Sequence, residues 1–102
     1  MINPQMIKKI KKMQEDIKKV QAEINASTFY GQAGGSVVKV SVKGTKKVES
    51  VEIKQTELDM TDIEMLQDLI VAAMNDAFNK VDKELQETLG SITQGMNVPG
   101  MF

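Results

Sequence analysis

Between Met6 and Ile24 the apolar residues fall at Met6, Ile10, Met13, Ile17, Val20 and Ile24, spaced alternately by four and three. That is the heptad period of a helical seam, with Ile10, Ile17 and Ile24 at one seam position and Met6, Met13 and Val20 at the other. Asn3 followed by Pro4 predicts the helix start, a capping side chain and then a residue whose fixed φ suits the first turn. Three heptads are short for a free-standing coiled coil, so the seam must be covered by the rest of the domain or by a second chain.

The period then shortens to two. Val38, Val40 and Val42 alternate with Lys39, Ser41 and Lys43, and Val51 and Ile53 alternate with Glu52 and Lys54. This predicts two half-buried strands, the second starting at about Lys46, joined by a tight turn at Gly44-Thr45. Ser27-Thr-Phe-Tyr30 is a shorter strand-like piece, and Gly31 with Gly34-Gly35 offers the next reversal. Thr61-Asp62-Ile63-Glu64 has the form of a capping box with Thr61 as the cap. It opens a long helix through Ile63, Leu66, Leu69, Ile70, Ala73, Ala77, Val81 and Leu85 that is expected to end near Gly90. With Val71, Met74 and Phe78 its apolar arc covers roughly half the circumference, more than one sheet face needs. The surplus points to a partner subunit. The expected fold class is therefore α+β and dimeric: an N-terminal helix, a three-stranded antiparallel β-meander and a long C-terminal helix. These form a single α-β-β-β-α domain over residues 1–90, followed by a flexible tail over 91–102.

Composition narrows the chemistry. In 102 residues, 41% of them hydrophobic, the aromatic residues are Phe29, Tyr30, Phe78 and Phe102. The core must rest on Ile, Val, Leu and Met, and a chain of this size buries only a modest one as a monomer. Histidine, cysteine, arginine and tryptophan are absent. Neither a Ser-His nor a Cys-His pair can be assembled, and a zinc site lacks its nitrogen and sulfur donors. Gly31-x-x-Gly34-Gly35 has no following Lys-Ser/Thr and reads as a turn. Glu64 and Asp68 stand one helical turn apart and could loosely hold a hard cation, but a solvated acidic face is the simpler account. Acids are plentiful enough for a hydrolase, yet none is singled out. The expectation is no enzyme, no cofactor, no metal and no small-molecule substrate. The longest apolar run, Leu69-Ile-Val-Ala-Ala-Met74, is too short to span a bilayer, which predicts a cytosolic chain with no membrane partner.

Charge changes the picture further. The net charge of −1 hides eleven lysines against five acids in residues 1–54, or +6, and two lysines against nine acids in residues 55–102, or −7. On a helical wheel Lys8, Lys11, Lys12, Lys18 and Lys19 fall within roughly a 120° arc opposite the seam, with Lys9 at the seam's flank. Glu15 interrupts this stripe, and Asp16 and Glu23 lie toward its edge. From Lys8 to Lys19 the rise is about 16 Å, several phosphate spacings along a duplex. Such a face is either a solvated helix back, a phosphate-contact surface or a basic patch that docks on an acidic protein surface. Lysine is a point charge without the bidentate fork that reads guanine, so a nucleic-acid partner would be met with little sequence preference.

Three stretches carry a resemblance. Gly34-Gly-Ser-Val-Val-Lys-Val-Ser-Val-Lys-Gly44 resembles the central hairpin of the YbaB/EbfC family of bacterial nucleoid-associated proteins. Glu64-Met-Leu-Gln-Asp-Leu-Ile-Val-Ala-Ala-Met-Asn-Asp-Ala-Phe78 is similar to that family's second helix, with its Leu-x-Asp-Leu-(apolar)-x-Ala-Ala-x-Asn-Asp-Ala pattern. Gly95-Met-Asn-Val-Pro-Gly100 is similar to its C-terminal tail. The resemblance implies a homodimer whose protruding helices grip double-stranded DNA like tweezers, alter its conformation and influence gene expression in the cytoplasmic nucleoid. It implies DNA contacts at Lys8, Lys9, Lys11, Lys12, Lys18 and Lys19, and on the second helix at Lys80 and Lys83. Those last two sit amid Asp76, Asp82, Glu84 and Glu87.

Overall fold

The computed structural model describes residues 3–94. The first element is helix α1, Pro4–Ala26. The Asn3 carboxamide oxygen accepts from the Met6 N–H at 2.8 Å, and Pro4 occupies the first turn, as the sequence predicts. Three strands follow, β1 (Thr28–Ala33), β2 (Val38–Lys43) and β3 (Val48–Ile53), then a short 3₁₀ turn at Gln55–Glu57 and helix α2 (Ile63–Gln94). The strands form one antiparallel sheet in the order β1-β2-β3. The architecture is the α+β arrangement expected from the periodicities.

Val38, Val40 and Val42 point to one face of the sheet and are fully buried beneath α2, together with Ala73, Ala77, Val81 and Ile24. Close approach of helix to strand is what makes this core tight. A Cβ on Gly31 would stand 2.1 Å from the Ala73 carbonyl oxygen and 2.5 Å from the Ala77 nitrogen, so the strand can touch the helix backbone only without one. This corrects the expectation that Gly31 helps reverse the chain. It is a buried residue in the middle of β1 opposite Val40, which extends the strand to Ala33. The reversal belongs to Gly34 and Gly35, both at positive φ.

The β2–β3 connection differs similarly. The expected start of β3 at Lys46 is displaced to Val48, because Lys46 itself takes the left-handed conformation (φ 68°) that ends a three-residue hairpin loop. This loop is pressed against the end of α1. A Cβ on Gly44 would lie 1.8 Å from the Ile24 carbonyl oxygen, and the Lys43 ammonium donates to the Ala26 carbonyl at 3.2 Å. Lys46 pairs with Asp82 on α2 at 2.9 Å.

Two expectations about α2 also change. Its N-cap is Asp62, whose carboxylate accepts from the Met65 N–H at 3.0 Å, not Thr61. The Thr61 hydroxyl and N–H both donate to the Asp59 carboxylate, in that order of effect, and hold the Asp59 carboxyl below its usual range. At the far end α2 does not stop near Gly90 but runs to Gln94. Gly90 has open space around its Cα and no positive φ, so nothing turns the chain there. The half-buried Ile92 and Thr93 continue the packed face. The rest of the expected tail lies outside the described residues. Asp62→Ala is expected to cost about 1 kcal/mol, the usual worth of an N-cap. Thr61→Ala should cost less than about 0.5 kcal/mol, as an exposed substitution. Urea unfolding of both variants checks this, and equal costs would return the cap to Thr61.

Candidate nucleic-acid interface

The geometry that presents the lysines follows from where the two helices meet. Ala73 and Ala77 fix the first half of α2 on the sheet, and its second half, of about 25 Å, extends beyond. There α1 lies alongside it in the opposite direction. Ile10, Met13, Ile17 and Val20 are half-buried and Ile24 is buried, while Leu85, Thr88, Leu89 and Ile92 are half-buried on α2. The heptad seam of α1 is thus covered within its own chain as far as Ile10, and only Met6, 52% exposed, runs out of cover. The result is a two-helix arm on a small sheet body, in a molecule measuring 68 × 24 × 16 Å.

The seam's burial dictates what faces outward. Lys8, Lys9, Lys11, Lys12, Lys18 and Lys19 are all exposed, and none takes part in an ion pair among the described residues. Glu15 is exposed within the stripe, and Asp16 is half-buried. The other side of the arm carries Asp82, Glu84 and Glu87, all exposed, with Lys83 4.0 Å from Glu87. The arm therefore has a basic α1 side and a predominantly acidic α2 side.

Lys80 is placed elsewhere. Its ammonium donates to the Tyr30 carbonyl at 2.7 Å and pairs with Asp76 at 3.5 Å, while the Asp76 carboxylate accepts from the Gln32 N–H at 3.1 Å. Tyr30 and Gln32 are alternate residues of the edge strand β1. Two α2 side chains thus satisfy edge groups of β1 that would otherwise be left to solvent or to another strand. Lys80 belongs to the body, and Lys83 to the acidic side of the arm. The structure does not bring either into the α1 stripe.

One residue of the basic side escaped the sequence reading. Ile7 lies outside the seam and is 42% exposed. On the wheel it stands about 100° from Met6 and only about 40° from Lys11, one turn further along. The signal was present in the helical projection, but the heptad count passes over it.

No helix among the described residues is long and apolar enough to cross a membrane. Glu64 and Asp68 are both exposed.

Comparison with known proteins places this arrangement. A nucleoid-associated protein of Oceanobacillus iheyensis is 46% identical over 97 residues, covering 95% of this chain and 93% of its own. One from Alkaliphilus metalliredigens is 43% identical over 97 residues, covering 95% and 85%. One from Staphylococcus saprophyticus is 58% identical over 71 residues, covering 70% and 68%. Among solved structures, an uncharacterized protein from Helicobacter pylori shares the fold with a TM-score of 0.72 at 16% identity, over 91% of this chain and 99% of that one. The family model of the YbaB/EbfC DNA-binding family matches residues 2–96, and with that span and these identities the chain belongs to the YbaB/EbfC DNA-binding family.

Proposed function

We propose that this chain is a nucleoid-associated protein that binds double-stranded DNA as a homodimer, with little sequence preference, and alters its conformation with consequences for gene expression. The observation that carries the reading is the exposed lysine face of α1, without ion pairs among the described residues, on an arm that projects from the body. Such a face neutralises phosphates and releases counterions, so log affinity falls linearly with log salt, by about 0.9 per phosphate met. Lys8, Lys9, Lys11, Lys12, Lys18 and Lys19 make the contacts, and the protein acts in the cytoplasmic nucleoid. Titrating an end-labelled duplex of arbitrary sequence at several salt concentrations tests it. A steep salt slope, similar for unrelated sequences, is the expected result, and salt-independent affinity would sink the reading. Salt-sensitive self-association without duplex binding would favour the adaptor role, in which the basic helix docks on an acidic protein surface.

The proposed dimer rests on apolar surface that α2 leaves open. Val51 pairs with the buried Val40 and therefore shares the core face, yet it is 38% exposed, because α2 lies over β1 and β2. Val48 on the same strand is 37% exposed. On α2, Val71 is 58% exposed and sits on the flank opposite Asp76, the flank that looks toward β3. A second copy seated on the sheet floor and this helix flank covers all three. Val51→Lys combined with Val71→Glu is expected to halve the mass measured by light scattering while preserving the helical circular dichroism. An unchanged mass would place the interface elsewhere.

A further inference from the structure

We propose that Ile7 is an apolar wedge that enters a base step of the bound duplex, so that the lysines of α1 hold the DNA and Ile7 kinks it. The inference rests on the DNA-binding reading and adds the residue that deforms the DNA. A single exposed apolar residue is ordinary on a protein surface. What sets Ile7 apart is its bearing and its neighbours. It does not continue the seam, whose exposed end is Met6, and it stands at the edge of the lysine arc, about 40° from Lys11 and about 20° from Lys18 on the wheel. Lys8 follows it directly and Lys11 is its neighbour one turn on, about 5–6 Å away between Cβ atoms. Both lysines are exposed and without an ion-pair partner among the described residues. Ile7 is 42% exposed, so part of its side chain is left uncovered by the described residues, and a β-branched residue is only a mediocre helix former at such a position.

The charge around it identifies the occupant. A protein surface complementary to this apolar spot would have to bring its own acids to Lys8, Lys11 and Lys12, whereas a duplex supplies phosphates on both sides of an apolar stack of bases. Proteins that kink DNA place an apolar side chain, isoleucine among them, between base steps and flank it with cationic groups. The position in the first turns of α1, at the end of the arm remote from the sheet, gives the side chain the reach that a groove requires.

The test uses the full chain and a short duplex carrying fluorophores at its two ends, read for affinity by titration and for bending by energy transfer at saturation. The wild-type chain is expected to shorten the end-to-end distance as a kink of roughly 20–90° would. Ile7→Ser should lose most of that kink while its dissociation constant rises by less than about tenfold, with an unchanged salt slope because no phosphate contact is removed. Ile7→Leu should keep the kink. Bending by Ile7→Ser equal to wild type overturns the proposal. So does a change in solution mass of Ile7→Ser without DNA, which would show that another copy covers the residue. A wild-type chain that binds the duplex and leaves it straight overturns it as well. Failure of the wild-type chain to bind duplex at all would instead remove the DNA-binding reading beneath it.

Discussion

Exchanging both Lys11 and Lys12 for glutamate is expected to weaken duplex binding by roughly a hundredfold or more at low salt, because every arm loses two phosphate contacts and gains two repulsions. The pair is chosen for its place on the molecule. Both ammonium groups are exposed in the middle of the stripe, on the side of α1 opposite the seam residues that pack on α2, so their replacement leaves the arm's packing intact. The milder change to alanine separates the geometry of binding from its strength. Each lysine lost from a phosphate contact makes the salt slope shallower by about 1. The double alanine variant should therefore lower it by about 4 if a dimer engages both arms and by about 2 if only one arm is used. Lys80→Ala supplies the contrast. It removes the cap on the Tyr30 carbonyl and the partner of Asp76, so it should lower the unfolding midpoint and leave the salt slope nearly unchanged. A slope that responds to Lys80 and not to Lys11 and Lys12 would move the interface from α1 to α2.

That contrast marks how far the sequence could be read. The lysine stripe and the heptad seam are properties of one helix, and a helix fixes the bearing of its side chains from their numbers alone. The faces of α1 were therefore legible before any tertiary contact was known. The alternation of Val38, Val40 and Val42 was legible for the same reason. The contacts of Lys80 within the fold were not, because they depend on the Tyr30 carbonyl fifty residues earlier, a group that exists as an acceptor only once β1 is an edge strand beside α2. The cap of α2 differs from the expected one for a local reason. Thr61 and Asp62 are both good caps, and the choice was made by Asp59, which takes the Thr61 hydroxyl and N–H for itself. The end of α2 lies beyond Gly90 because a glycine ends a helix only where the chain adopts positive φ, and Gly90 does not.

Gly31 is the sharpest of these cases and the one with the largest expected effect on stability. Beside Gly34 and Gly35 it reads as a third turn glycine, whereas in the fold it is the contact point of the whole α2–sheet interface. Gly31→Ala puts a methyl group 2.1 Å from the Ala73 carbonyl oxygen and 2.5 Å from the Ala77 nitrogen, both backbone atoms that no rotamer change can move. Strand and helix must separate. That opens the packing of Ala73 and Ala77 over Val40 and draws Asp76 and Lys80 away from the edge of β1. The cost is expected to exceed about 3 kcal/mol, the upper end for overpacking. That is a large share of the roughly 5–15 kcal/mol that holds a domain of this size together. Gly90→Ala is the matched control: the same methyl group enters open space in a helix interior and should stabilise by up to about 1 kcal/mol. Urea unfolding followed by circular dichroism measures both. A Gly31→Ala midpoint close to wild type would mean that α2 can lift off the sheet at little cost, and the arm would then be hinged. The opposite result makes the arm rigid from its root, because Gly31 fixes α2 on the sheet and Gly44 fixes the end of α1 against the hairpin loop. On the proposed reading, a rigid root would let the lysines of α1 approach a duplex already in register, without the entropic cost of ordering two helices on binding.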